Sequence, residues 1–188
     1  MSGNLAYQYE FREQKIGGEV VMISPRPSVK HNLIAGSIFT IFSVYLKGKR
    51  CTPFGAGTDL YLTESERYVP DGMIVCDASK IREDGVHGAP DLVVEVLSPS
   101  TAKYDRGHKK DVYEACGVRE YWLVTPGEKS VYLLRDGRFV LHDTYAVCPD
   151  WMVEQMNAEE RAAYQTEFRC SLFDDLVIRL EDVFDRVL

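Results

Sequence analysis

The chain has 188 residues, of which 45% are apolar and 27% charged, and a formal net charge of -7. This length suits one domain with a sizeable core, and the composition excludes a disordered, collagen-like or membrane protein. Residues 1–142 carry 18 Lys and Arg against 18 Asp and Glu, whereas residues 143–188 carry 4 against 11, so the acidity that argues weakly against a nucleic-acid partner lies wholly in the C-terminal segment.

The opening residues, MSGNLAYQYEFREQ, contain no apolar stretch of the kind that drives secretion, and a soluble cytoplasmic protein is expected. Strands are predicted at 7–13 and 19–23 around Gly17-Gly18, a hairpin turn signal. Ser28 is a suitable cap for a helix to about Leu46. Ile34, Ile38, Ile41, Phe42 and Tyr45 fall at helical spacing, and most other positions are apolar too. Such a helix is expected inside or between layers. Its charge-free stretch, Leu33–Leu46, is too short for a bilayer span, and no membrane association is expected.

Further strands are predicted at 57–62, 69–75 and 91–97. The run Leu92–Val94 with Val96 and Leu97 marks the last as a central strand covered on both faces. A helix over about 105–116, closed by Gly117, leads to a strand at 120–124; this unit has the length of a right-handed crossover between parallel strands. Strands at 129–134 and 138–142, a helix at 157–165, a strand at 176–180 and a short terminal helix complete the reading. The partial alternation of helices and strands points to a mixed sheet in an α/β domain spanning residues 1–188, with 143–188 as an acidic extension of it. Loss of that extension is expected to change solubility or oligomeric state before metal binding. Five scattered cysteines, Cys51, Cys76, Cys116, Cys148 and Cys170, form neither a disulfide framework nor a zinc motif and are expected as free thiols.

The chemistry concentrates in two Pro-Asp pairs, Pro70-Asp71 and Pro90-Asp91, and in Glu95. Strand alternation puts Asp91 and Glu95 on one face. An acid flanked by Val94 and Val96 is costly unless it is paired with a cation or holds a metal. Asp91 and Glu95 stand roughly 13 Å apart along the strand, too far to share one ion. Asp71 is the better partner for Glu95, because strand 69–75 would lie beside strand 91–97. Asp91 then reads either as a ligand or as a strand-entry residue bonding loop amides. On the following helix Lys109, Val112, Tyr113 and Cys116 share one face, so Lys109 points inward. It serves the site, snorkels toward solvent, or pairs with Asp105 one turn earlier. Lys110 faces solvent.

The run GAPDLVVEVLSPSTAKYDRGHKKDVYEACGVREYWLVTP resembles the signature of the putative restriction endonuclease family, phosphodiesterases of the PD-(D/E)xK type. GGEVVMISPRPSVKH and VPDGMIVCD precede it in the family's order, and the likeness covers about residues 7–135. It implies a restriction-endonuclease-like core, a central mixed sheet flanked by helices, with an N-terminal β-hairpin. Asp71 matches the PD aspartate and Glu95 the second acid. Leu97 stands where the plain motif has lysine, and Lys109 matches the position to which this family has moved it. The resemblance implies a DNA endonuclease using Mg²⁺ or Mn²⁺ on Asp71 and Glu95, with the Val96 carbonyl as a third ligand. Its products would carry 5′-phosphate and 3′-hydroxyl ends, and it would act as a homodimer. His31 and Glu19 also match recurrent residues, although a lone His near a helix start more often caps or fills the core, and Glu19 could equally be an exposed strand charge. Lys103, Arg106 and Lys110 form a basic cluster suited to DNA phosphates. The rival readings are an inactive nuclease fold that binds nucleic acid or a protein, and a hydrolase of small phosphoesters.

Overall fold

The computed structural model describes residues 12–23, 27–126 and 130–187. The strand expected from residue 7 is described only from Arg12, and the first residue of the strand expected at 129–134 lies outside these ranges. Strands β1 (Arg12–Ile16) and β2 (Glu19–Ile23) form the N-terminal hairpin. Gly17 and Gly18 both adopt positive φ, as a two-residue turn matched to strand twist requires. Ser28 caps helix α1 (Val29–Leu46) by accepting the His31 N–H. There follow β3 (Thr52–Gly55), β4 (Leu60–Thr63), β5 (Glu66–Tyr68), β6 (Gly72–Val75), β7 (Ile81–Arg82), β8 (Gly85–His87) and the central β9 (Leu92–Val96). Helices α2 (Ala102–Arg106) and α3 (His108–Cys116) lead to β10 (Glu120–Thr125), β11 (Ser130–Arg135) and β12 (Val140–Ala146). The chain closes with α4 (Asp150–Gln155), α5 (Ala158–Ala163), β13 (Glu167–Arg169), β14 (Val177–Arg179) and α6 (Leu180–Val183).

The main sheet has the order β12-β11-β10-β9-β6-β3 and is mixed: β9 and β10 are parallel, and the other neighbours are antiparallel. The crossover unit therefore forms as its length predicts, and the strand bearing Asp71 pairs beside β9. A second sheet, β2-β1-β5-β4-β8-β7, takes in the hairpin; its short strands carry too little periodicity to be read individually.

Alternation divides β9 between two cores. Leu92, Val94 and Val96 join α1, Trp122 and the C-terminal elements, whereas Val93 and Leu97 join the second sheet and Tyr113 of α3. Glu95 belongs to the second face. The C-terminal segment is no appendage. Phe168, Leu176, Ile178, Leu180, Val183, Phe184 and Val187 are buried in the first core, and β13–β14 and α6 cover that face of the main sheet.

Three local expectations change. Helix α1 buries one stripe, Ile34, Ala35, Ile38, Phe42 and Leu46, while Val29 and Val44 remain exposed; a single sheet face covers only one side of a helix. The predicted helix 105–116 is two helices, broken at Gly107, where a β-carbon would stand 3.1 Å from the Lys103 carbonyl oxygen. Cys51 and Cys76 are joined in a disulfide rather than free, because the β3–β6 register that pairs Thr52 with Val75 brings them together, with Cα atoms 4.0 Å apart. Cys116, Cys148 and Cys170 are free.

Candidate active site

The site forms where β6 begins and β9 ends. The antiparallel register pairs Gly72 with Val94, so one step further Asp71 stands opposite Glu95. Two backbone links fix this end: the Asp71 N–H donates to the Val94 carbonyl at 3.1 Å, and the Val96 N–H donates to Asp71 Oδ2 at 2.7 Å. From the N-terminal turn of α1, His31 places Nε2 3.2 Å from the same Asp71 oxygen. Burial alone would lower the His31 pKa, but Asp71 and the Val96 carbonyl outweigh it and hold the ring nearer its charged form.

Glu95 is almost fully buried. Its Oε1 accepts from Lys109 Nζ at 3.0 Å and from the Tyr113 hydroxyl at 2.8 Å. Lys109 is 2% exposed and also lies 2.8 Å from Asp105 Oδ1 as an ion pair. Lys109 thus touches Glu95 and also pairs with Asp105, the partner expected one turn earlier. Burial pushes the Glu95 carboxyl upward; Lys109 pulls it back down, while Asp105 and Asp71 push it up. For Lys109 burial acts against the charge, but the two flanking carboxylates reverse that and keep the ammonium protonated. Gly107 separates α2 from α3, so Asp105 and Lys109 approach each other across the break.

Asp71, Glu95 and Lys109 open onto one cleft of about 600 Å³, also lined by Gln14, His31 and Arg106. Its rim carries Ser28, Lys30, Asn32, Ser98, Ser100 and Thr101. A hard divalent cation wants oxygen ligands. Asp71 Oδ1 and Glu95 Oε2 accept no hydrogen bond from a described residue, so this donor set suits such an ion. Among the described residues no group of three or more His, Cys, Asp or Glu side chains is placed to hold a metal. An ion here would rest on two carboxylates and complete its shell with water and substrate, as Mg²⁺ commonly does.

The other expected residues divide. Val96 is in place, with its N–H on Asp71 and its carbonyl acting on His31. Asp91 sits at the far end of β9, where Oδ2 accepts the Cys76 N–H at 2.8 Å and Oδ1 lies 3.4 Å from Arg119. It does not line the cleft, and its geometry is that of a strand-entry residue bonding backbone amides. Glu19 is exposed beside the hairpin turn and also stays outside the cleft. Arg106 lines the cleft, Lys103 is exposed on α2, and Lys110 lies 3.9 Å from Asp111. From the hairpin it is Gln14 that reaches the site. A strand boundary placed at residue 13 hid it, although Gln14 and Ile16 alternate inward together. Tyr113 was visible on the Lys109 face, but nothing in the sequence revealed its hydroxyl on Glu95.

Residues 4–146 match the Uma2 family, described as "Putative restriction endonuclease", and the chain belongs to that family. It is 34% identical to the uncharacterized protein slr1290 of Synechocystis sp. over 138 residues, 71% of this chain and 67% of that protein. It is 26% identical to sll1609 of the same organism over 117 residues, 60% of this chain and 66% of that one. The chain thus spans about two thirds of the length of either relative. Its fold is similar to that of a solved structure titled a putative nuclease belonging to DUF820 from Anabaena variabilis, with a TM-score of 0.71, 21% identity and coverage of 95% of this chain and 93% of that one. The fold is restriction-endonuclease-like.

Proposed function

We propose that this protein is a metal-dependent endonuclease that hydrolyses phosphodiester bonds in DNA, acting in the cytoplasm as a homodimer. The observation that carries this reading is the register that sets Asp71 opposite Glu95 at the floor of one cleft, with Lys109 held against Glu95. Asp71 and Glu95, with the Val96 carbonyl, would hold Mg²⁺ or Mn²⁺, which supplies charge neutralisation at the scissile phosphate. Tyr113 and Lys109 fix the direction of the Glu95 carboxylate, and the Val96 N–H and His31 fix that of Asp71. Lys109 presents an ammonium next to the reacting phosphate, where it orients the attacking water or stabilises developing negative charge. Lys30 and Arg106 at the cleft, with Lys103 and Lys110 beyond it, suit contact with the nucleic-acid backbone.

A second reading has one observation behind it. The Lys109 ammonium is already neutralised by Glu95 and Asp105, as in a nuclease fold that binds without turning over. Cleavage of supercoiled plasmid with Mg²⁺ or Mn²⁺ separates the two. The wild type should nick and linearise it, and Asp71→Asn and Glu95→Gln should each lose at least about 100-fold in rate. Equal cleavage by all three proteins, or tight DNA binding with no turnover, would reject the enzyme reading.

A further inference from the structure

Beside the cleft lies a small side pocket of about 50 Å³ that shares Gln14, Ser100, Thr101 and Lys109 with it. That is room enough for one or two waters; Ile16, Val21, Met22 and Tyr104 make the rest of the wall apolar, so a water would be held at the end formed by Gln14, Thr101 and Lys109. Gln14 is 3% exposed, and its Oε1 is sealed from solvent with no hydrogen-bond partner among the described residues. A buried carbonyl acceptor left unsatisfied is unfavourable. Leucine or methionine would fill the same space without that cost, so the amide calls for a partner that arrives through the cavity.

Lys109 supplies the other half. Its ammonium has three N–H donors. Glu95 takes one of them, and Asp105 Oδ1 lies 2.8 Å away as an ion pair, which leaves a donor for the pocket that it shares with Gln14. The two groups are held in place by one buried acid. Glu66 on β5 accepts the Gly17 N–H at the hairpin turn and contacts His108 Nε2 at the start of α3, each at 2.9 Å, and it accepts the Tyr68 hydroxyl at 2.6 Å. Burial would raise its pKa, but these hydrogen bonds outweigh that and keep it an anion. Glu66 thereby ties together the strand that carries Gln14 and the helix that carries Lys109.

We propose that Gln14 is a water-holding residue of the cleavage site: its carboxamide oxygen accepts a hydrogen from the attacking water, which sits in the side cavity with Lys109 as its other partner. This rests on the endonuclease reading above. Gln14 neither takes nor gives a proton; it keeps one O–H of the water turned away, so that a lone pair faces the phosphorus, and as the new P–O bond forms and the P–O3′ bond breaks the water's other proton passes to solvent in the cleft, from which the departing 3′-oxygen takes one. Leucine at this position keeps the bulk and removes the acceptor, whereas glutamate keeps an acceptor oxygen.

The test compares wild type, Gln14→Leu and Gln14→Glu. A high-resolution crystal structure of the wild type should show an ordered water within hydrogen-bond reach of Gln14 Oε1 and Lys109 Nζ. Gln14→Leu should melt within about 2 °C of wild type or above it, because no partner among the described residues is lost. With Mg²⁺ and plasmid its kcat should fall at least about 10-fold with KM little changed, and Gln14→Glu should recover most of that loss. A dry cavity, a Gln14→Leu kcat equal to wild type, or a Gln14→Leu melting point lower by more than about 5 °C would overturn the assignment. The last result would make Gln14 a structural residue. A wild type that cleaves nothing would sink the endonuclease reading instead, and the occupancy of the cavity and the melting points would still decide whether Gln14 holds water.

Discussion

Lys109→Met is expected to lower the unfolding free energy by about 3–5 kcal/mol, the usual consequence of breaking a buried ion pair from one side. The lysine is 2% exposed and stands between Glu95 and Asp105, which are themselves 4% and 1% exposed. Methionine matches its length and would pack against the Tyr113 and Tyr68 rings, so little of the cost is cavity. Most of it comes from two carboxylates left in a dry environment without a counter-charge, where they must take up protons to remain. In a chain of this size the loss corresponds to a melting point lower by about 6–20 °C. Plasmid cleavage should fall with it, even at temperatures where the variant stays folded. A melting point within about 2 °C of wild type would mean that the pair is not buried as described.

The second large effect concerns the acidic end of the chain. Truncation after Thr166 is expected to abolish cooperative folding. It removes Phe168, Leu176, Ile178, Leu180, Val183, Phe184 and Val187, all buried against α1 and the main sheet. At about 1.5–3 kcal/mol for each fully buried side chain, their loss matches or exceeds the roughly 5–15 kcal/mol that holds a domain together. It also uncovers Trp122, whose indole N–H is held by Glu120, the same buried carboxylate that accepts the Ser171 N–H at 2.9 Å. The shortened chain should lose its near-ultraviolet circular dichroism and any sharp thermal transition. A truncated protein with the wild-type spectrum and melting behaviour would show that the segment is dispensable. The expectation that its loss would alter solubility or oligomeric state first came from its charge alone. The charges lie on the solvent side, and the apolar residues between them lie in the core.

The same distinction explains what could be read from the sequence. The chemistry on β9 was legible because a long apolar run announces a central strand, and an acid within such a run has few structural reasons to be there. The inward turn of Lys109 followed from helical spacing, and the pairing of Asp71 with Glu95 from the adjacency of two strands. The second sheet was harder to see. Its strands are as short as Ile81–Arg82 and Gly85–His87, too brief for period-two alternation to stand out. Gln14 was missed because its meaning depends on burial. A glutamine in a polar N-terminal stretch reads as surface until the hairpin is folded over the start of α3. The Cys51–Cys76 bond was missed for a related reason: the register of β3 on β6, not sequence spacing, brings the two sulfurs together.

The balance of charge no longer argues against a nucleic-acid substrate. Every residue of the cleft lies within residues 1–142, where basic and acidic side chains are equal in number, and the cleft and its surroundings gather Lys30, Lys103, Arg106, Lys109 and Lys110. The most direct test of the central claim is a crystal of the wild-type protein soaked in Mn²⁺ and measured at the manganese absorption edge. An anomalous peak is expected between the carboxylates of Asp71 and Glu95, and its loss in Asp71→Asn. A saturating soak with no ion there, or with manganese bound only elsewhere on the molecule, would contradict it.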